Sequence, residues 1–334
     1  MSVKQNKIDQ YKSGRSNHQI VYKSFTDVDG FKEFVAYRRL EIIQLSPGSF
    51  QASFLSIKVG NLSFVYNQVN QQVQACGDPL KGCISFAVLW SENEKEYYSF
   101  HHPIEPQRIL FGFNNREAHS IYPQGTIMTE IVMPVQTFDT YADQLQRYDL
   151  DNNFRSRNCV NLLPAGIKEI KDYLKQLLWL AVHKPNWLQQ PHIEKLVADD
   201  LLPLLISHIP INWNSKGFLK PSRQAKLIAK AEQEMLASFE EPLTLRQLAQ
   251  NLESSSSALS RGFKELFGMS PMRYLKVRRL NALRQHLKAS DPENSSITML
   301  AGQFGFWSAG HFARDYRAMF GELPSETLGK TAKI

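Results

Sequence analysis

The residues best placed for chemistry in this chain suit binding of a polyanion rather than catalysis. Leu259, Arg261 and Phe263 are followed further along by Phe312, Arg314 and Tyr316: an apolar anchor, an arginine two residues on, and an aromatic two further. An arginine can bond a guanine edge through two donors, and a serine can approach a phosphate or any base. Around Arg261 the side chains left outward are Ser256, Ser257, Ser260 and Lys264, so Arg261 is the expected base reader and Lys264 the phosphate contact. Arg261 could instead pair with Glu265. Around Arg314 the outward positions are Trp307 or Ser308, then Ala309 and His311. Small residues at Ala309 and Gly310 let a helix backbone approach a groove, and an alanine methyl can touch a thymine methyl. His311 suits a base or phosphate donor as well as a plain surface position. Trp307 is expected to pack in the core or on backbone rather than to read a base.

Such side chains act only on elements that aim them. Leu248-Ala249 and Leu300-Ala301 stand 52 residues apart, and each opens a helix-turn-helix unit. The alanine allows two short helices to cross closely. A tight turn follows at Glu253 and at Gly305, where a positive φ is required and glycine supplies it cheaply. The first unit reads as helix Leu245–Asn251, turn Leu252–Ser254 and helix Ser255–Phe267, closed by Gly268. The second reads as Ile297–Phe304, a turn at Gly305-Phe306 and Ser308–Phe320. Thr244 and Ser222 are N-cap candidates. One long helix, Pro271–Ala289, joins the units, with Arg273, Lys276, Arg279 and Arg284 expected on its exposed side. Its rigidity would hold the two reading helices roughly 34 Å apart, one DNA turn.

Charge supports this placement. From Lys216 onward there are 18 Lys and Arg against 11 Asp and Glu, while the preceding 215 residues balance at 21 of each. A basic C-terminal piece on a neutral N-terminal piece points to a polyanion partner for the former. Cys76, Cys83 and Cys159 lack the spacing of a disulfide framework or a zinc ribbon and read as free thiols. The polar N-terminus has no signal-peptide core and no apolar run reaches membrane-span length, which points to a cytoplasmic protein with no membrane partner.

The expected fold class is α+β. Residues 1–18 read as a flexible tail and 19–208 as a β-rich, cupin-like sandwich or barrel ending in a helical pair. A linker over 209–221 and an all-α domain with two helix-turn-helix units over 222–330 complete the chain. Short strands such as Ala52–Val59, Leu62–Val69 and Cys83–Trp90 alternate with turn signals. The helical pair carries Ile167, Ile170, Leu174, Leu177 and Leu178 on one stripe, then Ile193, Leu196, Val197, Leu201, Leu204 and Leu205. These residues suit core packing, and the pair is also a homodimerisation candidate.

The run Gly305-Phe306-Trp307, Phe312-Ala313-Arg314-Asp315-Tyr316 and Phe320-Gly321-Glu322-Leu323-Pro324-Ser325 resembles the AraC/XylS family of bacterial transcription regulators. So do Phe263-Lys264-Glu265-Leu266-Phe267-Gly268-Met269-Ser270-Pro271, Tyr274-Leu275 and Arg278-Arg279-Leu280. The resemblance covers residues 222–330 and implies seven helices with two DNA-reading units. By motif position it places base-facing residues at Ser257, Ser260 and Arg261, and at Ala309, Gly310, His311, Ala313 and Arg314. Glu253 stands where the family has glycine, and Ser257 and Ser260 are small for readers, which implies weaker discrimination by the first unit. Leu45-Ser46-Pro47-Gly48-Ser49-Phe50, with Gln190-Pro191, Lys195, Asp199 and Leu201-Leu202, is similar to the ethanolamine-utilisation regulators, a branch that implies a small-molecule sensor.

Three functions follow as expectations. The first is an effector-responsive transcriptional activator that binds double-stranded DNA and contacts RNA polymerase, with no cofactor. The second is a constitutive DNA-binding regulator whose N-terminal part senses nothing. The third is a cupin-like metalloenzyme using His101, His102, Glu105 and His119. It is disfavoured because adjacent histidines on a strand face opposite ways and Pro103 suggests a turn. No nucleophile elbow, P-loop or dinucleotide fingerprint supports an enzyme.

Overall fold

The computed structural model describes residues 20–35, 40–78, 80–90, 97–99, 102–104, 108–112, 118–155, 159–162, 164–211, 222–239 and 241–329. The expected tail over 1–18, most of the linker, and His101 and Glu105 lie outside the described residues.

The N-terminal part is built from strands β1 (Ile20–Phe25), β2 (Leu40–Gln44), β3 (Ala52–Val59), β4 (Leu62–Val69), β5 (Val73–Gly77) and β6 (Cys83–Leu89). It continues with β7 (Tyr97–Ser99), β8 (His102–Ile104), β9 (Arg108–Gly112), β10 (Ala118–Tyr122), β11 (Ile127–Pro134) and β12 (Cys159–Asn161). Helices α1 (Val28–Phe34), α2 (Val135–Gln144), α3 (Asn152–Arg155), α4 (Pro164–His183) and α5 (Pro191–Ser207) belong to the same part. The strands form two antiparallel sheets, one in the order β1-β3-β4-β11-β6-β9-β12 and one in the order β2-β5-β10-β7-β8. Pro103, expected to mark a turn, instead sits in β8, the last strand in the order of the second sheet, and an edge strand is where a sheet tolerates proline.

Period-two alternation distributes the side chains over four layers. On β4, Leu62, Phe64 and Tyr66 face one way and join the core made with α2, α4 and α5, while Val65 and Val69 face the other sheet. Phe25, Phe31, Phe50 and Phe54 fill the space between the sheets at this end, with ring centroids 5.3 Å apart for Phe25 and Phe31. On β2 the same alternation sends Ile42 into that space and Ile43 outward. The helical pair packs as expected: Ile167, Ile170, Leu174 and Leu177 of α4 and Val197, Leu201, Leu202 and Leu205 of α5 are buried in the core. Leu196 is the exception, 52% exposed. No described helix is long and apolar enough to cross a membrane.

The C-terminal part has the seven expected helices: α6 (Arg223–Ala237), α7 (Leu245–Asn251), α8 (Ser256–Phe267), α9 (Pro271–Ala289), α10 (Ile297–Gln303), α11 (Ala309–Phe320) and α12 (Pro324–Gly329). Their starts are set by the sequence. Ser222 accepts from Ala225 N, and Thr244 forms a capping box with Gln247. Ser255 accepts from Ala258 N, and Ser270 precedes Pro271 at the first turn of α9. The core of these helices is continuous with Ile43, Leu45, Tyr98 and Ile121 on the outer face of the second sheet. The C-terminal helices therefore cover that sheet as α4 and α5 cover the other.

Candidate nucleic-acid interface

The two units are built on the same local rules. Ala249 and Ala301 are buried where α7 meets α8 and α10 meets α11. Each first turn passes through a positive φ, +49° at Glu253 and +77° at Gly305. At Glu253 the sequence accepts the strain of a side chain in the left-handed region, which costs roughly 1–2 kcal/mol relative to glycine. Both reading helices end on a left-handed glycine, Gly268 with φ 71° and Gly321 with φ 77°. Their buried stripes are equivalent: Leu259, Phe263, Leu266 and Phe267 in α8, and Phe312, Tyr316, Met319 and Phe320 in α11. The spacing is 52 residues through the turns and 53 from the anchors onward, since Leu259 matches Phe312.

The faces left to solvent are the expected ones. On α8, Ser257, Arg261 and Lys264 are exposed and Ser256 and Ser260 half-buried. On α11 and its N-terminal turn, Ser308, Ala309, Gly310, His311 and Arg314 are exposed and Ala313 half-buried. Among the described residues Arg261, Lys264 and Arg314 make no ion pair. Glu265, the alternative partner for Arg261, instead accepts a hydrogen bond from Gln224 at 3.0 Å. An added Cβ at Gly310 would meet nothing within 4 Å, so a surface can approach the α11 backbone closely.

Two expectations are corrected. Trp307 is not a packing residue: it is 80% exposed, beside a cleft of about 290 Å³ that is also lined by Lys276, Arg279, His311 and Asp315. The turn geometry throws its ring outward because Phe306 takes the inward position against Phe312. Arg284 is not on a basic exposed side of α9. It is buried, with Nε 2.7 Å from Asp29 Oδ2 on α1 and Nη1 2.5 Å from Glu322. Burial opposes its charge, but Tyr316, Asp29 and Glu322 outweigh that and hold it protonated more firmly than usual. Lys288 adds a contact to Asp27 at 2.5 Å. That contact and the Gly30 amide outweigh burial and lower the Asp27 pKa. Helical periodicity could not reveal this, because α1 of the N-terminal part and the turn into α12 together enclose that side of α9.

A second polar group lies in the same seam. Glu232 of α6 accepts from Gln74 Nε2 at 2.8 Å and from the Tyr274 hydroxyl at 2.6 Å. His119 Nε2 stands 3.5 Å from Glu232 Oε2. Burial disfavours a charged His119, yet Cys76 and Glu232 outweigh it and raise its pKa to about 10. Burial pushes the Tyr274 hydroxyl well above its ordinary value. His119 was a candidate metal ligand; it is committed to this contact, and among the described residues no three His, Cys, Asp or Glu are grouped to hold a metal ion. Neither Cys76 nor Cys83 is in a disulfide.

Comparison with known proteins identifies what this geometry belongs to. A helix-turn-helix domain family model matches residues 248–330. The chain is 33% identical over 137 residues to the XylDLEGF operon transcriptional activator 2 of Pseudomonas putida, covering 41% of this chain and 83% of that protein. It is 39% identical over 92 residues to the probable thc operon regulatory protein of Rhodococcus erythropolis, and that match spans 28% of each protein. Among solved structures, a probable AraC family transcriptional regulator from Rhodopseudomonas palustris is 36% identical, matching 32% of this chain and 97% of that one with a TM-score of 0.30. The chain belongs to the AraC/XylS family of transcription regulators. The matched region is its DNA-binding part, and the chain spans well under half the length of the Rhodococcus relative.

Proposed function

We propose that this protein is a sequence-specific DNA-binding transcription regulator. It reads one DNA face through Ser256, Ser257, Ser260, Arg261 and Lys264 of the first unit, and Trp307, Ser308, Ala309, Gly310, His311, Ala313 and Arg314 of the second. The observation that carries the proposal is the pair of equivalent helices whose outward arginines are exposed and without an ion-pair partner among the described residues. Uncommitted arginine forks on helices backed by small residues suit major-groove base edges. The names of the Pseudomonas relatives, operon transcriptional activators, favour activation over repression, and RNA polymerase is the partner such a role would need. The supporting experiment is binding of the purified protein to its own upstream DNA across a salt series, for the parent and Arg314→Ala. Site-specific binding with a steep salt slope, lost in the variant, supports the reading. Equal binding by both sinks the assignment of Arg314.

The N-terminal part is proposed as a sensor domain over 19–208, joined through 209–221 to the DNA-binding domain over 222–330, with a small molecule shifting promoter occupancy and α4–α5 as the homodimer surface. A second reading, constitutive regulation, is favoured by the aromatic packing that fills the space between the sheets at the Phe25–Phe54 end. The two differ in a reporter assay without added effector: full activity from the cognate promoter supports the constitutive reading, and activity that appears only with an added compound supports the sensor.

A further inference from the structure

The N-terminal sheet reaches the end of each reading helix at the same point. An α-helix leaves its last four carbonyls without intrahelical donors. In α8 and α11 the first of these, at Lys264 and Arg317, is taken by the closing glycine, Gly268 or Gly321. The next is the carbonyl of Glu265 in α8 and of Ala318 in α11, each three residues before its glycine. Both are bonded by donors from the N-terminal part. The Tyr98 hydroxyl on β7 donates to the Glu265 carbonyl at 3.0 Å. The Gly48 amide, in the turn after β2, lies 3.0 Å from the Ala318 carbonyl and 3.1 Å from that of Met319. Gln44 Nε2 donates to the Met319 carbonyl at 2.8 Å. Contact at this turn is close: a Cβ on Gly321 would collide with Ser49 Oγ. Gly48 keeps a φ of +119°, which aims its amide at α11. Meanwhile Arg261, Lys264, Trp307, His311 and Arg314 stay exposed, so docking covers the back of both helices and leaves the reading face open.

Resting on the regulator reading above, we propose that Tyr98, Gln44 and Gly48 are positioning residues for DNA recognition. By capping equivalent carbonyls of both reading helices from one rigid sheet, they set the separation and tilt of the two helices. The docked arrangement is then the DNA-competent one, and the N-terminal part works as a jig rather than as a cover. The half-site spacing the protein accepts is fixed by the sheet as well as by α9.

The test uses the full chain. DNA enriched by the parent protein from a random duplex pool is rebuilt with the two half-sites moved apart or together by one base pair, and binding is measured by fluorescence anisotropy. The parent is expected to lose about tenfold or more in affinity for either shifted duplex, as for other single-step defects in a specific site. Tyr98→Phe with Gln44→Met removes two caps with little change of volume and leaves every proposed DNA contact in place. That variant is expected to bind the shifted duplexes to within about threefold of the original, with a far-ultraviolet circular dichroism spectrum like the parent's. A variant that folds and keeps the parent's spacing penalty overturns the proposal while leaving the regulator reading intact. Failure of the parent to enrich any sequence overturns both. Should the double variant unfold, Tyr98→Phe alone carries the same comparison, and an unchanged penalty there is equally decisive against the role of Tyr98.

Discussion

At the residue scale, the two arginines and Glu253 are the most informative positions. Arg261 and Arg314 hold equivalent places, but their surroundings differ: serines flank the first, while Trp307, His311 and an open backbone at Gly310 flank the second. A bidentate arginine–guanine pair is worth about 1–3 kcal/mol of discrimination. Arg314→Ala is expected to weaken specific binding by that amount. Arg261→Ala should cost less, because the short serines beside it support less readout; competition binding against scrambled DNA separates the two. Glu253 sits at φ 49° with no glycine to relieve it. Glu253→Gly should therefore stabilise the domain by about 1 kcal/mol, read as a higher urea midpoint with unchanged slope. A lower midpoint would mean that the Glu253 side chain contributes more than its backbone strain costs.

At the scale of the elements, each unit depends on one small residue between crossing helices. Ala301 is buried where α10 meets α11, in an interior packed closely enough that a larger side chain must displace its neighbours. Ala301→Leu should destabilise by about 1–3 kcal/mol through overpacking. It should also cost DNA affinity, because the angle of α11 changes; thermal unfolding and anisotropy on the same sample would show both losses. The buried stripe of α9 is wider than an amphipathic helix on one partner needs, since it meets α8, α10 and α12 on one side and β2 on another. This explains why two arginines and an asparagine occur on it in buried positions: Arg284 reaches Asp29, Arg278 reaches Gln74, and Asn281 donates to the carbonyl of Gln44 at 2.9 Å.

For the whole molecule, the seam between sheet and helices is the feature with energetic weight. Arg284 and Asp29 are buried, with Glu322 half-buried beside them, so Arg284→Met would take the guanidinium from both carboxylates and leave Asp29 to Lys288 at 3.4 Å. A loss of about 3–5 kcal/mol is expected in denaturant unfolding, with separation of the two parts preceding loss of helix. The seam also has a pH signature. His119 has a folded pKa raised from 6.5 to about 10, so the stability it contributes is fully present below pH 6.5 and is lost as pH rises through about 10. The parent should lose more stability than His119→Gln between pH 6.5 and 10 in urea titrations. Parallel curves for the two proteins would remove His119 from the account.

The sequence by itself determined what depends on neighbours along the chain. Caps at Ser222, Thr244, Ser255 and Ser270 start helices through their own side chains, and Gly268 and Gly321 end them through their own φ. The helical stripes of α8 and α11 likewise show which arginines face outward, and period-two alternation shows the strands. Tertiary structure alone decided which outward-seeming residues become interior. Arg284, Glu232, Gln74 and His119 are polar and look like surface residues in any local window, yet the N-terminal part docks on α6 and α9, where its second sheet brings Gln74 and His119 to Glu232 and its α1 brings Asp29 to Arg284. Trp307 went the other way, because one inward place exists at that turn and Phe306 fills it. The Leu45–Phe50 segment is legible as a turn, but not as a cap on a helix some 270 residues away. Hydrogen bonding of an orphan carbonyl depends on the packing of the two parts, which no local pattern encodes.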